Sequence, residues 1–331
     1  SGGIRRGSDP AGYFGARTSR IDGGLVSVNR DLIAILPASL PQYEQAIAEA
    51  GGQLADLDAS VSGLVWTAYS KPDLLIQTLE SNPQLTWVQL PWAGVDAFSD
   101  TLGHPVRFTS AKGAYREPVA EHALALALAL GRKIPERVRA KSWGEKFAAS
   151  LFDANVVIVG AGGITEELVR LLEPFRSRIT VVRNREVAFP GVEATVPLPS
   201  LQAVLGRAHF VFLACALTSE TRHLFDREMF AAMRPESYLV NIARGPVVVT
   251  ADLLAALEQG VIAGAGIDVT DPEPLPIGHP AWDCENLIIT PHTADTPEQV
   301  VDLFAERIRV NVLAHRGLGE WVGTVNPQLG Y

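Results

Sequence analysis

The chain has 331 residues, with 37 acidic against 28 basic side chains and a net charge of −9 at neutral pH. That length exceeds what one core usually serves and points to two domains, while the acidic balance argues against nucleic acid, which demands basic patches. The longest purely apolar run, Ala123 to Leu130, falls far short of the roughly 20 residues of a membrane span. No charged-then-apolar leader opens the chain, and Cys215 and Cys284 alone make no disulfide framework, so no membrane and a cytoplasmic location are expected.

Residues 1–30 are rich in Gly, Arg and Ser without periodicity, which predicts a loose arm. Leu32 to Leu36 is a short apolar run ended by Pro37, hence a buried strand. Gln42 to Ala50 follows as a helix stopped by Gly51-Gly52. Gly63 to Trp66 is a strand, Pro72 to Ser81 a helix, and Thr86 to Leu90 and Arg107 to Thr109 are strands. This βα alternation implies a parallel sheet with helices on both faces. The Ala-Leu run from Ala123 to Leu130 alternates like a strand, but both residue types favour helix. With Pro118 and Gly131 as punctuation it reads as a helix, apolar nearly all round and therefore expected between the domains.

A second series begins at Asn155. Strands are predicted at Val156 to Val159, Ile179 to Val182, Phe210 to Leu213, Tyr238 to Ile242, Ala265 to Val269 and Leu287 to Thr290. Helices are predicted at Thr165 to Pro174, Asp252 to Gln259 and Glu298 to His315. The fold class is therefore α/β, with two doubly wound, Rossmann-like parallel-sheet domains and a cleft between them.

Val159 runs into Gly160-Ala161-Gly162-Gly163-Ile164 and then a helix. Gly160 suits the tight turn, Gly162 close approach of a pyrophosphate, and the helix amides its charge. Thr165 replaces the third glycine, at a position that mainly serves packing. The next strand ends in Arg183-Asn184-Arg185, where an NAD site usually carries an acidic residue for the ribose hydroxyl. Arg pairs with a 2′-phosphate instead, so Arg183 favours NADP, with NAD still admitted and Glu186 close by.

Arg244, Glu273 and His292 each follow a strand, where an open α/β sheet places its site. Arg holds a carboxylate and polarises a keto oxygen. His protonates a developing alkoxide, because its pKa lies near working pH. A carboxylate beside the imidazole orients it and favours its charged form. Asp268, at its strand end, is expected near the nicotinamide.

These segments resemble the D-isomer-specific 2-hydroxyacid dehydrogenases, a family that includes glyoxylate/hydroxypyruvate reductases. The carriers are Val159 to Ile164, Asn241-Ile242-Ala243-Arg244-Gly245, Gly266 to Val269 with Glu273 to Pro276, His279 to Trp282, and Thr290-Pro291-His292-Thr293-Ala294. The resemblance implies hydride transfer between NAD(P)H and a small 2-keto/2-hydroxy acid, with Arg244 on the substrate and His292 as acid/base paired with Glu273. It also implies a substrate domain of residues 1–121 plus 294–331, a dinucleotide domain of residues 122–293, and a homodimer. Ile242, Ala243 and Ala294 join Gly160, Gly162, Gly163, Ile164, Arg183, Asn184 and Asp268 as expected cofactor contacts. The Ala93 and Gly94 amides are expected to bind the substrate carboxylate, with Trp92 walling the pocket. His122 is read as structural, while Tyr115 and Arg116 are candidates for the cleft, Arg116 as a second anion contact.

Asp295 departs from the family's small residue or Asn; it either perturbs His292 or caps the last helix. Two other readings share the fold. A non-catalytic, dinucleotide-sensing corepressor-like protein can retain the same trio. A formate dehydrogenase typically pairs the His with Gln, which Glu273 opposes.

Overall fold

The computed structural model describes residues 29–184 and 187–328. Most of the expected N-terminal arm, together with Arg185 and Glu186, lies outside the described residues.

The first half contains strand β1 (Asn29–Leu36), helix α1 (Pro41–Glu49), β2 (Gln53–Leu54), β3 (Val61–Trp66), α2 (Pro72–Ser81), β4 (Trp87–Gln89) and β5 (Arg107–Thr109). All five strands pair in parallel, in the order β2-β1-β3-β4-β5. Every residue of β3 is buried, as expected for a strand covered on both faces. Leu75, Leu79 and Phe98 cover one face, while Tyr43 and Ile47 of α1 cover the other.

Two helices follow, α3 (Arg116–Gly131) and α4 (Ile134–Arg139). Next come β6 (Asn155–Val159), α5 (Gly163–Leu172), β7 (Arg178–Val182), β8 (Ala194–Val196), α6 (Leu201–Leu205) and β9 (Phe210–Leu213). The series ends with α7 (Arg227–Ala231), β10 (Tyr238–Asn241), α8 (Thr250–Glu258), β11 (Gly264–Ile267), β12 (Leu287–Ile289) and α9 (Pro297–His315). Its seven strands are parallel, in the order β12-β11-β10-β9-β6-β7-β8. The order reverses beside β6, the position where such sheets bind ligands beyond their carboxyl ends.

Helix α3 corrects one expectation. It is not sandwiched between the two sheets but packs on α5, β10 and β11. Ala120, Ala123, Leu126, Ala127 and Leu130 are buried there, while Leu124, Leu128 and Ala129 stay partly exposed. Composition fixes that a helix is apolar, but not which side finds a partner.

Helix α9 returns to the first sheet. Thr296 caps it, accepting from the Gln299 amide at 3.3 Å while Gln299 accepts from the Thr296 amide at 3.1 Å. Val300, Phe304, Ile308 and Val312, four residues apart, form the buried stripe against α1. Buried Asn311 donates to Gln89 Oε1 at 2.6 Å, and Arg307 donates to the carbonyls of Ser110 and Lys112 at 2.7 and 2.8 Å. The last helix thereby fixes β4 and the loop after β5.

None of the described helices is long and apolar enough to cross a membrane. Strands β2 and β8 and helices α4, α6 and α7 were not expected; each is six residues or fewer, too short for periodicity to register.

Candidate active site

In a parallel sheet every carboxyl end lies on one edge. Along the larger sheet that edge carries, in spatial order, the His292, Asp268, Arg244 and Gly160 loops and Arg183. The smaller sheet turns its β4 loop toward them, since Asp96 reaches Arg244 and Trp92 reaches His292.

Gly160 sits at φ +114° and donates to the Val182 carbonyl at 2.9 Å. A Cβ there would collide with the Ala214 carbonyl, so only glycine fits. Gly162 is the N-cap of α5, and beside it is open space: nothing would lie within 4 Å of a Cβ. Gly163 and Ile164 form the first turn of α5, whose amides lack intrahelical partners. Buried Thr165 donates its hydroxyl to the Gly160 carbonyl at 3.1 Å, so the residue in place of the third glycine fastens the turn. Arg183 directly follows β7 and donates through Nη1 to the Val187 carbonyl at 3.2 Å. Asn184 is exposed and committed to Glu220 Oε2 at 2.6 Å, away from the glycine turn. Arg116 is exposed, with its stem beside Gly163.

His292 Nδ1 lies 2.6 Å from Glu273 Oε1, and Glu273 Oε2 accepts from the Thr270 amide at 3.2 Å. The Glu273 hydrogen bond holds the His292 pKa above its ordinary value against the opposing effect of burial. Burial pushes the Glu273 carboxyl up, but His292 and the Thr270 amide outweigh it and bring it below the usual range. The imidazole thus favours its charged form, with Nδ1 engaged and Nε2 left for chemistry.

The loop carrying His292 is held from behind. His292 has φ 53°, left-handed and uncommon for a non-glycine residue. Its amide donates to the carbonyls of Asp268 and Thr290 at 2.8 and 2.9 Å. The Asp268 carboxylate, 2 % exposed, accepts from the Thr290 hydroxyl at 2.6 Å and from the Thr293 and Ala294 amides at 2.9 and 3.1 Å. His122 Nε2 lies 2.9 Å from the Thr290 hydroxyl and 3.4 Å from Asp268. Burial raises the Asp268 carboxyl, yet these donors win and lower it. The side chain expected near the nicotinamide is occupied in orienting the His292 loop, and His122 is part of that anchor.

Arg244 comes from the tip of β10. Buried Asn241 shapes that turn: its Oδ1 accepts from the Ala243 amide at 3.0 Å and its Nδ2 donates to the Arg244 carbonyl at 3.2 Å. Ile242 and Ala243 are buried beneath. The Arg244 guanidinium donates from Nε to Asp96 at 3.1 Å and from Nη1 to the Ala243 carbonyl at 2.8 Å. Nη2 has no partner among the described residues and lies against Gly94, where a Cβ would collide with it. Neither the Ala93 nor the Gly94 amide donates to a described residue. Arg244 Nη2 thus lies beside Gly94 in the β4 loop, with two backbone amides there that make no bond to a described residue.

Trp92 stacks with His292 at 6.3 Å and 19°, and Tyr69 tilts against Trp92 at 4.3 Å. Tyr115 corrects another expectation: it is buried and donates to the Pro91 carbonyl at 2.7 Å, supporting Trp92 edge-on instead of facing the cleft. The sequence reading missed Asp96, Asn241 and Tyr69. Asp96 carried a weak signal, a lone charge two residues beyond Gly94. Asn241 stood in the Asn241 to Gly245 segment, but its turn-shaping contacts to Ala243 and Arg244 were not read from it, and Tyr69 carried no signal, because its partner Trp92 lies 23 residues away.

Residues 124–294 match the family model described as the D-isomer-specific 2-hydroxyacid dehydrogenase NAD-binding domain. A glyoxylate reductase from Pyrococcus furiosus is 30% identical over 72% of this chain and 75% of its own length. Glyoxylate/hydroxypyruvate reductase B from Escherichia fergusonii is 31% identical over 84% of this chain and 88% of its own. A D-isomer-specific 2-hydroxyacid dehydrogenase from Xanthobacter autotrophicus Py2, solved with NADPH and MES, superposes with a TM-score of 0.78 at 26% identity, over 91% of this chain and 99% of that one. The chain belongs to the D-isomer-specific 2-hydroxyacid dehydrogenases, oxidoreductases that use a nicotinamide dinucleotide.

Proposed function

We propose that this chain moves a hydride between NADPH and a small 2-keto/2-hydroxy acid with D stereospecificity, His292 acting as acid/base. The observation that carries this reading is the His292–Glu273 pair on the same sheet edge as Arg244, whose Nη2 lies against Gly94 of the β4 loop. A dinucleotide fits the Gly160 turn, where only glycine is tolerated and the side beyond Gly162 is open. Gly160, Gly162, Gly163 and Ile164 would hold its pyrophosphate, with Arg116 as a further anion contact. Ile242, Ala243 and Ala294 would line the nicotinamide end, with buried Asp268 supporting it through the His292 loop. Arg183 would meet a 2′-phosphate, which favours NADP over NAD, and Asn184 would serve only by leaving Glu220. The bound cofactor supplies the hydride. Arg244 and the β4 amides hold the substrate carboxylate and keto oxygen, Trp92 walls the pocket, and His292 Nε2 gives its proton to the forming alkoxide.

The smaller sheet with α9 would form the substrate domain, residues 1–121 plus 294–331, and residues 122–293 the cofactor domain. A homodimer would cover the partly exposed Leu124 and Leu128 and the bare Val138 and Trp143. The unpaired cysteines suit a reducing cytoplasm.

The test is oxidation of NADPH and NADH with glyoxylate, hydroxypyruvate and pyruvate, in the wild type and in His292→Gln. The variant should keep cofactor affinity and lose roughly 10²- to 10⁴-fold in turnover. Near-full activity would sink the assignment, and tight cofactor binding without turnover of any 2-keto acid would favour a dinucleotide sensor.

A further inference from the structure

The amino ends of the larger sheet, opposite the edge that carries Arg244 and His292, hold a separate polar cluster. Register pairs Arg178 at the head of β7 with Asn155 at the head of β6. His209 directly precedes β9, and its amide donates to the Asn155 carbonyl at 2.8 Å. Arg178, Asn155 and His209 therefore stand in one row across neighbouring strands. Arg234 comes from the turn before β10, where the Ser237 amide and hydroxyl both donate to its carbonyl, at 3.0 and 2.6 Å. Arg207 lies two residues before His209, and its carbonyl accepts from Asn155 Nδ2 at 3.0 Å.

His209 is partly buried, and each of its ring nitrogens faces a donor. The Asn155 amide points at Nδ1 from 2.9 Å, and Arg234 Nη1 points at Nε2 from 3.4 Å. Burial, then the charges of Arg234 and Arg178, hold the His209 pKa below its ordinary value, so the ring is neutral. A neutral imidazole accepts at one nitrogen only. The shorter contact claims Nδ1, which leaves the proton on Nε2, against the Arg234 N–H. Two donors thus meet, and neither finds an acceptor among the described residues. The nearby carboxylates do not fill the gap. Asp153 feels the charge of Arg178 but is bound to Arg176 through both oxygens, at 3.1 and 2.9 Å. Glu236 lies on the Nε side of Arg234, at 3.6 Å. Arg178 and Arg207 form no ion pair within 4.0 Å among the described residues.

From this geometry we infer a second anion site, which takes a phosphate dianion, either free or as the end group of a phosphate monoester, on His209 Nε2 and Arg234 Nη1. A phosphate offers several acceptor oxygens, so it meets both donors at once, and guanidinium suits it in shape and charge. Neighbouring strands lie about 4.8 Å apart, so Arg178 starts about 10 Å from His209 and its stem reaches an anion lying over Asn155. Arg207 adds charge from the other side of the row. The five residues of β6 put about 15 Å between this site and the Gly160 turn, so it is distinct from any phosphate position of the dinucleotide.

The test titrates inorganic phosphate and glycerol 3-phosphate calorimetrically into the NADP-saturated protein, at constant ionic strength. Two charge-assisted bonds of ordinary strength give a Kd of about 1 mM. Arg234→Gln removes one of them and should weaken binding at least about tenfold, with the Kd for NADP within about twofold of wild type. If that variant does not fold, Arg178→Gln with Arg207→Gln, both exposed positions, should weaken phosphate binding about three- to tenfold. Tighter binding of glycerol 3-phosphate would make the ligand a monoester, and tighter binding of inorganic phosphate would make it the free ion. No binding of either up to about 20 mM overturns the inference. So does binding that the arginine variants leave unchanged, which would place the anion elsewhere on the protein.

Discussion

Replacing Glu273 with Gln removes one charge beside His292 while leaving an oxygen where Oε1 now accepts. The 2.6 Å contact is charge-assisted, a class worth about 1.5–3 kcal/mol. Both side chains are 41% exposed, and water screening places the loss near the lower end. At about 1.4 kcal/mol per tenfold, kcat/KM for keto-acid reduction should fall roughly 10- to 30-fold near neutral pH. The pH dependence gives the sharper readout. Proton donation needs the imidazolium, so activity is full at low pH and falls as pH rises through the raised His292 pKa. Without the Glu273 charge that limb moves to lower pH, and the deficit of the variant grows toward alkaline pH. Only well below the ordinary imidazole range, since burial and Arg244 lower His292 once the Glu273 charge is gone, are both enzymes protonated and is the loss of orientation all that remains. The stability of the folded chain follows the same signs. The Glu273 share is present above the ordinary carboxylate range and lost as pH falls through its lowered pKa. The His292 share is present below the ordinary imidazole range and lost as pH rises through its raised pKa. The assay is NADPH oxidation with glyoxylate over about pH 5 to 9. An unmoved limb, with kcat/KM within twofold of wild type throughout, would refute Glu273 as the partner that charges His292.

Asp96→Asn should raise KM for the keto acid by roughly fivefold, because this part-exposed pair, worth about 1 kcal/mol, steadies Arg244; a fall in KM would mean that Asp96 competes with the substrate. Arg183→Asp should shift the ratio of kcat/KM for NADPH over NADH by at least about tenfold toward NADH, and an unchanged ratio would place the 2′-phosphate elsewhere. Phe304→Ala, at a fully buried α9 position against α1, should cost about 3–5 kcal/mol in urea unfolding; a cost below about 1 kcal/mol would mean that α9 does not seal that face.

The strand ends were legible in the sequence because each strand is a short apolar run with a break after it. Once parallel pairing is granted, Gly160, Arg244 and His292 must share an edge. The glycine turn was legible for the same reason that Gly160 is irreplaceable: a close backbone approach leaves no room for Cβ. What pairs across the cleft was not legible. Asp96 and Arg244 are 148 residues apart, and no local pattern encodes that contact. The Ala-Leu helix failed differently, since a uniformly apolar stretch has no stripe to say which face is covered. Asp295 stood out as a departure, but the choice between cap and active-site charge needed the Thr296–Gln299 geometry.

The His292 loop explains why several apparently structural residues belong to the same device. A non-glycine residue at φ 53° costs about 1–2 kcal/mol, and it persists only where its surroundings over-determine it. Here two carbonyls accept the His292 amide, and buried Asp268 takes the next two amides. His122, reaching from α3, secures Asp268 and Thr290. A relaxed loop would turn the imidazole away from Glu273. The strain and its anchors are thus one arrangement, which fixes where Nε2 points before any substrate arrives. If His292 is the proton donor proposed above, the cost of orienting it is met in folding and not at each turnover.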